Sequence, residues 1–189
     1  MADAPTEPLS LEAVKRNLRI DSGDDDQLIL DLIADAREYV EDKSGLVLLP
    51  RMVTESAAAL GAWIDLASWP VRDVTAIRYP TRTGMVGLPV TAWQYSVVRR
   101  PVRLLPVSYG WGVPPPLAIA GASLPIEIDV AAGYADRTQI PRRATRAMHM
   151  LIAHWYENRQ TAEVGSRAAA IEVPFGVTDL CRRLKLARI

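Results

Sequence analysis

His149 and His154 are the only imidazoles of the chain and Cys181 is its only thiol, so any metal centre or acid–base site should be built around them. At i and i+5 the two histidines point to different sides of a helix, and no Glu follows His149, so the paired-histidine zinc geometry is not met. Both read as structural or interface residues, and Cys181 reads as a small buried thiol that cannot form an internal disulfide. No Gly-x-Ser-x-Gly nucleophile elbow is present, and Gly110-Trp111-Gly112 runs on to Pro114-Pro115-Pro116 instead of opening a phosphate-cradling helix. The run Asp21-Ser22-Gly23-Asp24-Asp25-Asp26 has the density of a calcium loop, yet its glycine stands third instead of sixth, and Leu32 occupies the place of the bidentate Glu. These carboxylates suit a helix N-terminus instead. Arg142, Arg143 and Arg146 could hold phosphates, but no helix-turn-helix, zinc spacing or interleaved aromatic residue accompanies them, and subunit contact is the better reading. The residues therefore predict no catalytic site, no metal and no cofactor, and hence not an enzyme.

One row of charge stands out. Asp31, Asp35, Glu38 and Asp42 recur at i, i+4, i+7 and i+11 with little basic relief beyond Arg37 and Lys43, which stacks carboxylates along one edge of a helix. Such a row is a solvated face, or it lines something that must not stick to DNA. The balance of charge supports an assembling protein. Residues 1–45 carry 12 acids against 5 bases, residues 46–139 carry 6 against 8, and residues 140–189 carry 4 against 9, so the net charge of zero hides a dipole along the chain. Zero net charge argues against a dedicated nucleic-acid binder, and the asymmetry suits a surface in which one end of a subunit meets the other. No run of about 18 apolar residues is present and the start resembles no secretory signal, which predicts a soluble, cytoplasmically made protein with no membrane partner.

The elements that must carry these residues fall into three segments. Residues 1–45 read as helical: Ser10 caps a short helix to about Leu18, and Asp24 with Gln27 forms a capping-box pattern before a longer helix that Gly45 stops. Leu28, Ile29, Leu32, Ile33, Ala36, Tyr39 and Val40 form its core stripe. Residues 46–136 read as β structure, with runs at 62–66, 74–79, 93–98 and 101–105, and a last strand in which Ile126, Ile128 and Val130 alternate with Glu127 and Asp129. Seven of the 14 prolines lie between residues 89 and 125, which limits that region to edges and loops. Residues 137–189 return to helix, with Pro141 at the start, an apolar face of Ala144, Ala147, Met148, Leu151, Ile152 and Trp155, and a last helix from about Thr178. The expected class is α+β: a small bundle of about four helices with a β-sheet or partial barrel inserted between the second and third long helices.

Several segments in this order resemble the head-to-tail connector, or adaptor, family of long-tailed bacteriophages and gene transfer particles. They are Leu9-Ser10-Leu11-Glu12-Ala13-Val14-Lys15 with Leu18-Arg19-Ile20-Asp21, Asp24-Asp25-Asp26 before Leu28-Ile29, and Ala36-Arg37-Glu38-Tyr39-Val40-Glu41 ending at Gly45. Trp69-Pro70-Val71, Gly133-Tyr134 with Ile140-Pro141, Trp155-Tyr156-Glu157-Asn158-Arg159 and Val173-Pro174-Phe175-Gly176-Val177 complete the set. The resemblance implies a structural protein of the virion neck, forming a ring of about twelve subunits under the portal. Its partners would be the portal protein, the next neck or tail-completion protein, and double-stranded DNA passing through unread. Within it, Asp31, Asp35, Glu38 and Asp42 are expected to face the channel. Arg142, Arg146, His149, Met150 and Tyr156 are expected at a subunit interface, and Arg182, Arg183, Lys185, Leu186 and Ile189 on the portal. A DNA-binding packaging or regulatory protein is the alternative reading.

Overall fold

The computed structural model describes residues 7–108, 110–111, 126–158 and 174–185. Two compact units divide the chain: Met1–Leu49 with Tyr134–Ile189, and Pro50–Gly133. The first unit is helical. Helix α1 (Leu11–Leu18) begins where Ser10 Oγ accepts the Ala13 N–H at 3.2 Å and ends on Arg19 in the left-handed region at φ 59°. Helix α2 (Asp26–Ser44) ends on Gly45 at φ 70°, whose N–H returns to the Glu41 carbonyl, a position that a residue without Cβ takes without strain. Lys15 Nζ lies 2.5 Å from Asp26 and ties the two helices together.

The expected capping box of Asp24 and Gln27 does not form. Asp25 holds the N-cap position and makes no side-chain cap bond. Its carboxylate instead accepts the Tyr156 hydroxyl at 2.5 Å, while the Gln27 amide turns forward to Asp31 at 3.0 Å. A tertiary hydrogen bond has displaced the local one.

Helices α3 (Arg142–Glu157) and α4 (Phe175–Leu184) complete the unit. The side of α2 formed by Ile29, Ile33, Ala36 and Val40 is fully buried, as are Ala144, Ala147, Met148, Leu151 and Ile152 of α3 and Val177 of α4. The Trp155 ring meets Tyr39 edge-on at 6.3 Å. Helix α4 starts three residues before the expected Thr178, because Pro174 takes the N-cap position and Phe175 and Gly176 form the first turn.

The exit from α2 is held by a buried carboxylate. Glu41, 9% exposed, accepts the Leu48 N–H at 2.6 Å and faces Arg37 Nη1 at 3.3 Å, and Arg37 in turn reaches Glu7 at 3.1 Å. A buried charge is tolerated only when it is paired and hydrogen-bonded. Ser44 Oγ donates to the Val40 carbonyl and accepts the Leu46 N–H, so the two polar side chains at the end of the helix both serve the turn that follows.

The second unit holds two antiparallel sheets where one sheet or a partial barrel was expected. Four strands run in the order β1-β7-β3-β4, and three in the order β2-β6-β5. The strands are β1 (Arg51–Ala57), β2 (Ile64–Asp65), β3 (Val71–Thr81), β4 (Gly84–Gly87), β5 (Trp93–Tyr95), β6 (Arg103–Pro106) and β7 (Ile126–Ala132). Strands β1 and β4 were not expected from the sequence, whereas β2, β5 and β6 are shorter than the runs that suggested them. The alternation in β7 is as read: Ile126, Ile128 and Val130 are buried against Val74 and Ile77 of β3. Its other face is bound, not merely wet. Arg78 of β3 reaches Glu127 at 3.0 Å and both oxygens of Asp129 at 2.5 and 2.8 Å, and Thr54 of β1 also donates to Asp129. The smaller sheet buries Leu104 and Trp93, and on its surface Arg103 grips Asp65 with two bonds and lies 4.5 Å over the Trp63 ring. Glu55 accepts the N–H groups of Ala67 and Ser68 at 2.7 and 2.8 Å, joining β1 to the segment after β2.

Two predictions come from these charges. Glu41→Ala removes the acceptor of the Leu48 amide and one of the carboxylates on Arg37, which should lower the unfolding free energy by about 1–3 kcal/mol in a urea titration. The Arg78 guanidinium, with the Thr54 hydroxyl adding to it, holds the Asp129 carboxyl below the usual carboxylate range. A folded value below the unfolded one means that the pair stabilises fully above about pH 4 and that this gain is lost as pH falls through the folded value. Arg78→Gln should therefore lower the melting temperature at pH 7, and the gap to the parent protein should close once Asp129 is protonated.

Candidate functional site: the exposed helix faces

Among the described residues no three His, Cys, Asp or Glu side chains gather as a metal-ligand group, and no helix is long and apolar enough to cross a membrane. The histidines stay apart. His149 is half-buried, its Nδ1 has no hydrogen-bond partner among the described residues, and burial pushes its imidazole below the ordinary value. His154 Nδ1 lies 3.4 Å from the Asn158 amide at the end of the helix. Burial likewise raises the Cys181 thiol, which lies in the core of the helical unit. A buried neutral thiol is a poor nucleophile.

The surfaces offer charge. Asp31, Asp35, Glu38 and Asp42 are all exposed along one edge of α2, because the buried stripe of that helix occupies the positions between them. Their neighbours are few and local: the Gln27 amide on Asp31, Arg37 at 3.5 Å from Glu38, and Lys43 at 3.0 Å from Asp42. Asp42 also raises the affinity of Lys43 for its proton.

The five residues singled out on α3 divide. Arg142 and Arg146 are exposed with Arg143, and His149 is half-buried beside them. Met150 and Tyr156, which looked outward by helical periodicity, have partners in the same chain. A Cβ on Gly176 of α4 would stand 2.9 Å from Met150 Cε, so the missing side chain is what admits the methionine, while Tyr156 is bonded to Asp25. Periodicity along one helix could not reveal that α4 and the start of α2 occupy those sides.

On α4, Arg182 and Arg183 are exposed and both bond to Asp179 at 2.7 Å, which holds the Asp179 carboxyl below its usual range. Lys185 is exposed, and Leu186 and Ile189 lie outside the described residues. Phe175, the only phenylalanine of the chain, is 85% exposed at the start of the same helix. Sequence reading passed over Glu41 as a structural carboxylate; the signal for it was the i, i+4 spacing from Arg37 just before Gly45.

Known proteins share this architecture. A chain in a structure of the neck of an empty gene transfer agent (GTA) particle computed with C6 symmetry is 23% identical, with a TM-score of 0.69 over 96% of this chain and 91% of that one. A chain in a structure of the virion of a native GTA particle is 24% identical, with a TM-score of 0.68 over the same shares. A third, from the neck of a native GTA particle computed with C12 symmetry, is 23% identical, with a TM-score of 0.60 over 98% of this chain and 97% of that one. No curated protein matches the chain. Across α1, α2 and the first strands, residues 8–90 match the family model of the phage gp6-like head-tail connector proteins, so connector-type sequence in that part is carried on a fold that, over nearly the whole length, is the fold of chains in GTA particles.

Proposed function

We propose that the chain is a structural neck protein, a head-to-tail connector whose copies form a ring of about twelve under the portal vertex of a phage or gene transfer particle. The match of residues 8–90 to the phage gp6-like head-tail connector family carries this reading. The full-length likeness in fold to chains of GTA particles, including a neck computed with C12 symmetry, supports it. So does the surface: exposed charge rows on α2, α3 and α4 suit contacts between molecules, and the titratable groups of the described core are held by partners or by burial instead of converging on a reacting centre. The protein then works by position, closing the filled head, passing double-stranded DNA without reading it, and presenting a docking surface to the next neck or tail-completion protein.

The portal end of this reading falls on the close of α4. Arg182 and Arg183 load the last turn with positive charge, where the helix dipole favours it, and Lys185 follows at the C-cap; Leu186 and Ile189 come next in the sequence. Removing the gene from a particle-producing host should leave DNA-filled heads without tails in electron micrographs, with tails assembled separately; normal tailed particles would overturn the connector reading. Deleting residues 185–189 should abolish co-sedimentation with purified portal protein. Unchanged co-sedimentation would move the portal contact to another surface.

A further inference from the structure

Two exposed rows of opposite charge lie on the helical unit without neutralising each other. Arg142, Arg143 and Arg146 are exposed in the first turns of α3 and have no ion-pair partner among the described residues. Asp31, Asp35, Glu38 and Asp42 are exposed on α2, and Asp35 has no ion-pair partner among the described residues. Within one chain the helices meet elsewhere: Trp155 lies on Tyr39 and Tyr156 on Asp25, at the C-terminal end of α3. From Arg146 to Trp155 is about 14 Å of helix. The two rows also share a spacing. Asp31 and Asp35 stand at i and i+4, as do Arg142 and Arg146, so each pair spans about 6 Å along one edge of its helix.

We propose that the acidic edge of α2 in one copy docks on the arginine edge of α3 in the next. The second copy as partner rests on the ring reading above. A cyclic ring of more than two copies requires a heterologous contact, in which one surface of each subunit meets a different surface of its neighbour. The two rows are such a pair, opposite in sign, with Arg142 and Arg146 at the spacing of Asp31 and Asp35. An acidic row facing a neighbour is also neutralised on assembly, whereas twelve such rows facing one channel would repel each other.

Solution mass measurement by sedimentation at up to about 1 mM protein tests the contact. The parent protein should self-associate at about 20 mM ionic strength and much less at about 300 mM, where charges separated by more than about 6 Å are screened. Asp31→Lys with Asp35→Lys and Glu38→Lys should weaken association at least about tenfold, as should Arg142→Glu with Arg143→Glu and Arg146→Glu. An equimolar mixture of the two triple variants should recover it, because each row of one variant then meets its opposite on the other. A chain carrying both sets should recover it too. All six side chains are exposed, and circular dichroism checks the fold. If a reversal unfolds the protein, Asp35→Asn and Arg146→Gln replace it, and their double variant should weaken association by less than the product of the two single effects. A parent protein that stays monomeric at low ionic strength, or a mixture of folded variants that fails to associate, overturns the proposal. So does an arginine variant that loses duplex DNA binding with association unchanged, which would make that row a phosphate surface, or an acidic variant that associates normally while particles lose packaged DNA, which would place its row in the channel. The association measurements require neither heads nor tails, so a failure of association leaves the connector reading to its own test.

Discussion

The buried carboxylate of Glu41 is the constraint on which the helical unit depends. A charge taken out of water costs several kcal/mol unless hydrogen bonds and an opposite charge offset it, and at Glu41 the Leu48 amide and the Arg37 guanidinium contribute to that offset. That offset ties three things together. The chain must turn back after Gly45, so that Leu46, Val47 and Leu48 enter the core. Arg37 also reaches Glu7, which ties the segment before α1 to the same helix. The buried stripe of α2 must then face away from the acidic edge, because one helix cannot present Ile33 and Asp35 to the same neighbour. The core and the charged surface are in this sense one decision.

The helical stripes were legible in the sequence because a 3.6-residue period over a long helix is a strong signal, and the structure buries Ile29, Ile33, Ala36 and Val40 as the period requires. Strand β7 was legible for the same reason at period two. Strand β1 was not, because Glu55 occupies one of its inward positions, and only the tertiary contact to Ala67 and Ser68 makes that position acceptable. Strand β4 was not, because Gly-Met-Val-Gly has the composition of a turn and gains its strand geometry from pairing with β3. The capping box of Asp24 and Gln27 failed in a similar way: the N-cap position fell to Asp25, which bonds to Tyr156, and the Gln27 amide turned to Asp31. Each miss is a local preference overridden by a residue far away in sequence or one turn along.

The candidate surfaces show the same division. Exposure of the α2 carboxylates and the α3 arginines could be read from the wheel, since a charged residue opposite a core stripe has nowhere else to go. Met150 and Tyr156 could not be placed that way. Their partners, Gly176 and Asp25, belong to α4 and to the start of α2, and a wheel shows one helix at a time. Removing these two residues from the free surface sharpens the α3 face to its first turns, where it is purely basic.

A neck ring poses a thermodynamic problem that charge solves better than apolar contact. If subunits closed into rings in solution, rings would form before the portal was present and would compete with correct assembly. An apolar interface of useful size would do this, because its strength hardly falls with salt. A contact made of a few exposed ion pairs is worth only about 0.2–1 kcal/mol per pair and is screened within about 8 Å at physiological salt, so free subunits stay apart. In the proposed ring, docking on a portal would change the arithmetic without adding a contact: it would hold neighbours at about millimolar effective concentration, where even weak pairs between adjacent copies are populated. Weak, complementary and exposed is therefore the combination a templated ring needs, and the proposed contact between the α2 and α3 rows would supply it.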